Sequence, residues 1–220
     1  MTPAERDARM RDHYRDRFRA HGATPHGVDW NGDATQQVQF TQLLRVVVFD
    51  RDGTSLNDLG CGYGALADRL ADEQPDARYH GYDLNAEMID AARARHAGRD
   101  RVAFDVADRP LHDADYGVAS GIFTLRLGRS DDACAADMRA SLDALAATSR
   151  RGFAFNCLTS YSDAPRMKDY LYYPDPRDVF DLCKRRYARN VALLHDYDLY
   201  GFTMLVRFDA THEPHAAAPS

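Results

Sequence analysis

Three glycines that alternate with other residues constrain this 220-residue chain more than any other part of its sequence. Residues 56–66 read Leu-Asn-Asp-Leu-Gly-Cys-Gly-Tyr-Gly-Ala-Leu, so a short apolar strand pattern leads directly into Gly60, Gly62 and Gly64. Glycine permits a sharp turn and a close approach of a ligand, because no Cβ stands in the way. A helix pattern follows, and the free N–H groups at its start point into the same space. The segment therefore predicts a nucleotide-type cofactor site at the carboxyl edge of a parallel sheet.

Two cofactor patterns fit this segment, and Asp58 distinguishes them. Gly60, Gly62 and Ala65 match G-x-G-x-x-G/A, the fingerprint of dinucleotide sites. A pyrophosphate beside the Asp58 carboxylate would be repelled, whereas a cation would be attracted. With Asp58, the glycines also resemble the first motif, D/E-x-G-x-G-x-G, of the class I S-adenosylmethionine (SAM) dependent methyltransferases. SAM carries a sulfonium and an ammonium group, which favours SAM over NAD; a plain glycine-rich turn is the remaining alternative.

Strand and helix patterns alternate through most of the chain, which predicts a doubly wound parallel sheet. The last two strands are joined by too few residues for a crossover helix, so they form an antiparallel hairpin. The fold class is therefore α/β, a Rossmann-like doubly wound seven-stranded sheet with a terminal antiparallel hairpin and helices on both faces, as the family resemblance also implies. Strands are predicted at 56–60, 79–83, 102–106, 116–123, 153–158, 191–195 and 202–208, and helices at 63–73, 85–96, 130–148 and 174–186.

The chain divides into three parts. Residues 1–34 hold an N-terminal helix over 3–21 and a loop, which together form either a lid over the cofactor or a plain scaffold. Residues 35–208 form the SAM-binding domain, which starts with a helix over 35–49. Residues 209–220 are rich in Ala, Pro and His and predict a disordered tail.

The composition of the chain limits the kinds of binding partner that can be expected. The net charge of −6, with arginines and acidic residues interspersed, does not predict a nucleic-acid binder. No apolar run is long enough to span a membrane. The four cysteines form no C-x-x-C pair, which indicates reduced thiols in a cytoplasmic protein and no metal-ligand cluster. The oligomeric state is open, and a homodimer is compatible with the chain.

The family resemblance implies further cofactor contacts. Asp83, about 20 positions after the glycines, would accept hydrogen bonds from the ribose hydroxyls, although it could also serve only as a charge at the start of the next helix. An aspartate after the third strand would accept from the adenine amino group, and Asp108 is preferred over Asp105 by its offset. The remaining predicted contacts are Leu84 and Met88 at the adenine (Met88 being equally suited to the helix core), Ser120 and Phe123 at the methionine part, and Tyr14 from the lid.

The substrate would lie beside the carboxyl ends of the fifth and sixth strands, walled by residues 156–173 and 195–200. Seven of the twelve tyrosines fall between 161 and 200, and tyrosine faces attract sulfonium or ammonium groups. Candidate catalytic residues are Asn156, Tyr172, Tyr173 and His195, with one of the two tyrosines expected in the core. His195 is the preferred base, and Asp196, His13 and His26 are alternatives.

The sequence thus predicts a SAM-dependent methyltransferase that acts on a small molecule, in secondary metabolism. The fourth strand is not followed by N/D-P-P-Y/F, which argues against the amino groups of adenine or glutamine as acceptors. One alternative keeps SAM but cyclises it to azetidine-2-carboxylate and methylthioadenosine. Another is a NAD-type oxidoreductase or a non-catalytic nucleotide-binding module on the same fold.

Overall fold

A computed structural model describes residues 2–50 and 52–209 of the chain. The helices are α1 (Pro3–His21), α2 (Asp33–Leu44), α3 (Ala65–Glu73), α4 (Ala86–Arg95), α5 (Asp131–Thr148) and α6 (Pro176–Arg186), with short 3₁₀ helices at Pro25–Val28 and Ala164–Arg166. The strands are β1 (Ser55–Leu59), β2 (Arg78–Asp83), β3 (Val102–Val106), β4 (Ala114–Ala119), β5 (Ser149–Leu158), β6 (Asn190–Leu194) and β7 (Gly201–Arg207). The tail predicted to be disordered lies, from residue 210 onward, outside the described residues.

The seven strands form one sheet in the order β3-β2-β1-β4-β5-β7-β6. All neighbouring pairs are parallel except those that involve β7, which runs antiparallel to both β5 and β6. The predicted sheet and its terminal hairpin are confirmed. Strand order reverses between β1 and β4, and in such sheets ligands bind in the crevice at the carboxyl ends of the strands that flank the reversal.

Apolar side chains cover both faces of the sheet. One cluster packs under α2, α3 and α4 and includes Leu43, Leu66, Ile89 and Phe104. The other lies under α5 and α6 and includes Leu142, Leu145, Phe153, Phe202 and Met204. The two layers hold the carboxyl edge of the sheet as a rigid platform. Among the described residues, no helix combines the length and the apolar character needed to cross a membrane.

Helix starts are fixed by side chains that the sequence places just before them. The Asn85 side chain accepts a hydrogen bond from the Glu87 N–H at 3.0 Å, which confirms the predicted cap of α4. Ser130 accepts from the Ala133 N–H at 3.3 Å and caps α5 in the same way. These caps fix the residues at which α4 and α5 begin.

Several element ends differ from the predicted ones. The fourth strand ends at Ala119 rather than at 123, because Gly121 turns the chain with a φ of +74°. The helix predicted over 35–49 ends at Leu44. The sixth strand ends at Leu194 and leaves His195 outside it. The first difference matters most, since residues 120–123 become a loop that can line a site.

Candidate functional site

Two adjoining cavities lie at the carboxyl ends of β1, β2 and β4, and together we call them the crevice. Both are lined by Tyr14, Gly60, Asp83 and Ile122. The α5-side cavity reaches Met138 of α5, and the α2-side cavity reaches Phe40 of α2. The crevice therefore lies where strand order reverses, at the place that the glycine segment predicts.

The crevice floor requires glycine at position 60. Gly60 has a φ of +78°, and a Cβ there would lie only 2.1 Å from Ile122 Cγ2. Gly62, with a φ of +55°, donates its N–H to Asp83 Oδ2 at 3.0 Å. Gly64 differs, because it lines neither cavity and its carbonyl contacts His96 Nε2 at 3.0 Å. Gly64, with a φ of +81°, provides the turn into α3, and its predicted cofactor contact stays a prediction.

The Asp58 carboxylate is buried in the wall of the α2-side cavity, and one of its two oxygens has no hydrogen-bond partner. Its Oδ2 accepts a hydrogen bond from the Tyr79 hydroxyl at 2.5 Å, while its buried Oδ1 has no partner. Burial raises the pKa of Asp58 to about 7, and the charge on nearby Asp83 adds to this. A buried acceptor of this kind favours a cationic ligand group in the adjoining space.

Asp83, at the end of β2, lies between the two cavities. Its Oδ2 accepts the Gly62 N–H, and its Oδ1 accepts the Asn85 N–H at 2.8 Å. Burial raises the pKa of this carboxyl above its ordinary value, although the backbone N–H donors oppose the shift. The two backbone bonds hold the carboxylate in place, which suits an acceptor for hydroxyl groups.

The other predicted cofactor residues divide between the two cavities. Leu84, Asp108 and Phe123 line the α5-side cavity, whereas Met88 and Ser120 line the α2-side cavity. The structure therefore separates Leu84 from Met88, which the sequence analysis places together. It also distinguishes the two candidate aspartates, since Asp105 lines neither cavity and instead contacts His80 Nε2 at 2.7 Å.

Helix α1 crosses above the crevice and is tied down on both sides. Arg6 Nη1 donates to Asp137 of α5 at 2.7 Å, and Arg19 forms an ion pair with Glu87 of α4. Between these anchors Tyr14 lines both cavities of the crevice. The N-terminal segment thus covers the crevice, and this position is compatible with either a lid or a plain scaffold.

A third cavity, of about 640 Å³, opens between this cover and the loops that follow β4 and β5. We call it the front cavity. It shares Tyr14, Val28, Trp30 and Gly121 with the α2-side cavity. Aromatic, aliphatic and polar side chains line its other walls, among them Leu125, Asn156, Arg166, Tyr170, Leu171 and Tyr200. A second small molecule can therefore lie next to a ligand in the crevice.

Of three further predicted catalytic residues, Asn156 and Tyr172 line a cavity and Tyr173 does not. Asn156 lines the front cavity, but its Oδ1 accepts the Gly121 N–H at 2.7 Å and its Nδ2 donates to Ser120 Oγ at 3.2 Å. Asn156 therefore positions the loop after β4. Tyr172 is buried and lines the α5-side cavity, where burial raises its pKa to about 12. Tyr173 lines none of the three cavities, and its hydroxyl accepts the Lys168 N–H at 3.1 Å.

The structure does not bring His195 to any of these cavities. Its ring is exposed and packs near Tyr161 and Phe202. The reason is lateral position, because β6 is the edge strand and β7 separates it from β5. The carboxyl end of β6 does lie on the predicted side of the sheet, yet only the turn at 198–201 reaches the front cavity. The role of His195 as the base stays a prediction, for a residue that lines none of the three cavities.

A histidine–aspartate pair, His13 and Asp29, lines the front cavity. His13 Nε2 lies 2.5 Å from Asp29 Oδ2, and Arg17 contacts the other oxygen, Oδ1, at 2.5 Å. All three residues line the front cavity. Although burial acts to raise it, the pKa of Asp29 lies below its ordinary value because His13 and Arg17 stabilise the ionised form. From the sequence, His13 is only an alternative base and Asp29 is not a candidate, although the four-residue spacing of His13 and Arg17 indicates a shared helix face.

Known proteins are similar to this chain over much of its length. A family model described as "Methyltransferase domain" matches residues 57–148. The chain is 56% identical over 161 residues to the protein named "Putative methyltransferase Rv1506c" of Mycobacterium tuberculosis (strain ATCC 25618 / H37Rv); the match covers 73% of this chain and 97% of that protein. A shorter match, 38% identical over 69 residues, relates 30% of the chain to 25% of a fatty-acid O-methyltransferase of Mycolicibacterium smegmatis (strain ATCC 700084 / mc(2)155).

Solved structures share the fold at low sequence identity. Magnesium protoporphyrin IX methyltransferase from Synechocystis PCC 6803, with bound SAH, superposes with a TM-score of 0.63 at 14% identity, over 92% of this chain and 99% of that one. Human N-acetylserotonin methyltransferase in complex with SAM gives a TM-score of 0.55 at 17% identity, over 78% and 51% of the two chains. These likenesses concern the arrangement of helices and strands.

Proposed function

The chain belongs to the class I SAM-dependent methyltransferases, and on that premise we propose that it transfers the methyl group of SAM to a small molecule held in the front cavity. The observation that carries this proposal is the placement of the front cavity. It adjoins the crevice through Tyr14 and Gly121, so that the two ligands would meet there. The acceptor is a compound of secondary metabolism in this proposal.

The residues of the crevice fit SAM. The unpartnered Asp58 Oδ1 is suited to a cationic group of the ligand. Because Gly60 has no side chain, it leaves space for a ligand that a Cβ at this position would occupy. Asp83 would hold the ribose hydroxyls, and Leu84 and Asp108 would hold the adenine. When bound, SAM supplies an electrophilic methyl group on its sulfonium. The protein then has to exclude water and align an acceptor atom with that group.

In this proposal the N-terminal cover excludes water from the two ligands. Its two anchors, Arg6 to Asp137 and Arg19 to Glu87, tie α1 to the helices on opposite faces of the sheet. Tyr14 lies where the crevice and the front cavity meet. Closure of this cover over both ligands keeps water from the methyl group and holds the acceptor in line with it.

The His13–Asp29 pair points to a hydroxyl acceptor. Asp29 orients the imidazole through Nε2, so in this proposal Nδ1 is the nitrogen that takes the acceptor proton. A hydroxyl needs such a base near neutral pH, whereas a carboxylate or a free amine does not. The product of this reaction is a methyl ether.

Product analysis with labelled cofactor tests the transfer. SAM with a ¹³C-labelled methyl group is incubated with the enzyme, with and without a small-molecule extract, and products are identified by mass spectrometry. We expect S-adenosylhomocysteine and a labelled product only when the extract is present. Methylthioadenosine from SAM alone would instead support the cyclisation of SAM, and absence of turnover by a SAM-binding chain would support a non-catalytic module.

Substitution of His13 tests the base. Once an acceptor is identified, His13→Gln should lower kcat by about 10²-fold or more at pH 7 and leave SAM binding unchanged. His21→Gln is the matched control, since His21 lies on the same helix, is exposed and lines none of the three cavities. Equal kcat values for the two variants would exclude His13 as the base.

A further inference from the structure

We propose that His80, Asp105 and His112 form a binding site for a divalent transition metal, separate from the crevice. One ligand atom from each residue lies within 4.8 Å of the other two, and His80 Nε2 lies 2.7 Å from Asp105 Oδ2. No metal-ligand cluster is expected from the sequence. The three residues come from β2, β3 and the following loop, so their linear spacing matches no metal motif.

Strand register brings the three groups together. Tyr82 of β2 pairs with Asp105 of β3, and side chains two residues apart on a strand share a face, so His80, Tyr82 and Asp105 all point to the α5 side of the sheet. His112 joins them from the loop, with its ring centroid 5.3 Å from that of His80. Asn57 Nδ2 donates to the His112 carbonyl at 2.7 Å and fixes this part of the loop.

Neighbouring groups orient the ligands. The Tyr82 ring stacks on the His80 imidazole at 4.4 Å with an interplanar angle of 12°. Arg93 Nη2 contacts Asp105 Oδ1 at 3.4 Å, which leaves Oδ2 directed to the histidines. Partners of this kind commonly hold metal ligands in place and contribute to affinity.

The donor set selects the class of metal. Two imidazole nitrogens and one carboxylate oxygen are typical ligands of Zn²⁺, with a fourth position left to water, whereas Mg²⁺ and Ca²⁺ prefer oxygen alone. Bonds of about 2.0–2.2 Å place tetrahedral ligand atoms roughly 3.4 Å apart. Small rotations of the side chains therefore convert the observed cluster into a site. Coordination through His80 Nε2 would replace its present contact with Asp105 Oδ2.

The site would also connect to the crevice. His112 belongs to the loop 107–113, and Ala107 and Asp108 of the same loop line the α5-side cavity. A metal that ties His112 to β2 and β3 restrains this loop and lowers the ordering cost when the cofactor binds. Because coupling between sites is reciprocal, bound SAM should in turn increase the affinity of the site for the metal.

Metal titration of the full chain without an affinity tag tests the site. Zn²⁺ is titrated against a chromophoric chelator, and Co²⁺ absorption reports the geometry. We expect one Zn²⁺ per chain, with affinity reduced by roughly tenfold or more in His112→Ala and in the near-isosteric Asp105→Asn. His195→Ala, which removes an exposed histidine elsewhere, should bind Zn²⁺ like the wild type. The four cysteines are buried in the folded chain and do not compete.

Two results would overturn the proposal. One is the lack of stoichiometric Zn²⁺ binding by the folded wild type, with folding verified by circular dichroism. The other is equal Zn²⁺ affinity for the wild type and His112→Ala. The coupling has its own test, since Zn²⁺ should lower the Kd of SAM by roughly fivefold in the wild type and not in His112→Ala. Equal SAM affinities with and without Zn²⁺ would refute the coupling.

Discussion

Replacing Asp58 with asparagine should stabilise the free protein and weaken SAM binding at the same time. The carboxylate is buried, its Oδ1 has no partner, and burial raises its pKa to about 7. In the unfolded chain the same group titrates near its ordinary value of 3.8. The native state therefore bears the cost of an unpaired buried charge whenever the pH exceeds about 7. The asparagine side chain would keep the size of the aspartate and an acceptor for the Tyr79 hydroxyl, but carry no charge.

The sign of the pH dependence follows from linkage. A folded-state pKa above the unfolded one means that the native chain binds the extra proton, so stability increases as the pH falls through 7. A difference of about 3 pKa units corresponds to a cost of at most about 4 kcal/mol above pH 7. The asparagine has its own cost of roughly 1–3 kcal/mol, because its Nδ2 would be buried without a hydrogen-bond partner. Asp58→Asn should thus gain roughly 1–3 kcal/mol at pH 8, and this gain should shrink steadily towards pH 5.

Thermal unfolding with and without SAM measures both effects. For a chain of this size the gain corresponds to a Tm increase of about 2–10 °C at pH 8 without ligand. Loss of the charge should also raise the Kd of SAM about tenfold or more, which reduces the Tm increase that SAM produces. Asp90→Asn, at an exposed position on α4, is the control and should change neither quantity. A Tm at pH 8 no higher than that of the wild type, or an unchanged Kd, would refute the interpretation of Asp58 as a buried charge held for a cation.

Two further substitutions test the crevice. Gly60→Ala should reduce SAM binding strongly and destabilise the fold, since its Cβ would lie 2.1 Å from Ile122 Cγ2. Gly98→Ala is the control, because Gly98 also has a positive φ but has open space around it, so this variant measures the backbone cost alone. Equal SAM affinities of the two variants in calorimetry would contradict the steric argument. Asn156→Leu should cost about 1–3 kcal/mol in urea unfolding because it leaves the Gly121 N–H without its acceptor, and a stability equal to that of the wild type would show that this hydrogen bond does not hold the loop.

Much of the fold could be predicted from the sequence because its determinants are local. Alternating strand and helix patterns define the sheet, and the short link between β6 and β7 forces the antiparallel hairpin. Asp58 and Asp83 could be placed beside the crevice for the same reason, since each stands at a fixed offset from a strand end. The position of the crevice, which both residues line, can be predicted from strand order alone.

The remaining site residues depend on contacts between distant segments. His13 meets Asp29 only because α1 folds back over the sheet edge and Asp29 adopts a φ of +60°, which no periodic pattern encodes. His195 was predicted on the correct side of the sheet, but its distance from the crevice depends on the lateral order of the last strands. His80 and His112 meet through strand pairing and a loop, and their spacing carries no signal.

Calorimetric titration of SAM into the wild type and Asp83→Ala tests the central claim most directly, namely that this crevice binds SAM. Asp83 lines both of its cavities, and its carboxylate is fixed by two backbone N–H groups. We predict one SAM per wild-type chain, at least tenfold weaker binding by the variant, and no saturable binding of NAD to either. Equal SAM affinity in the two proteins, or binding of NAD in preference to SAM, would contradict the account.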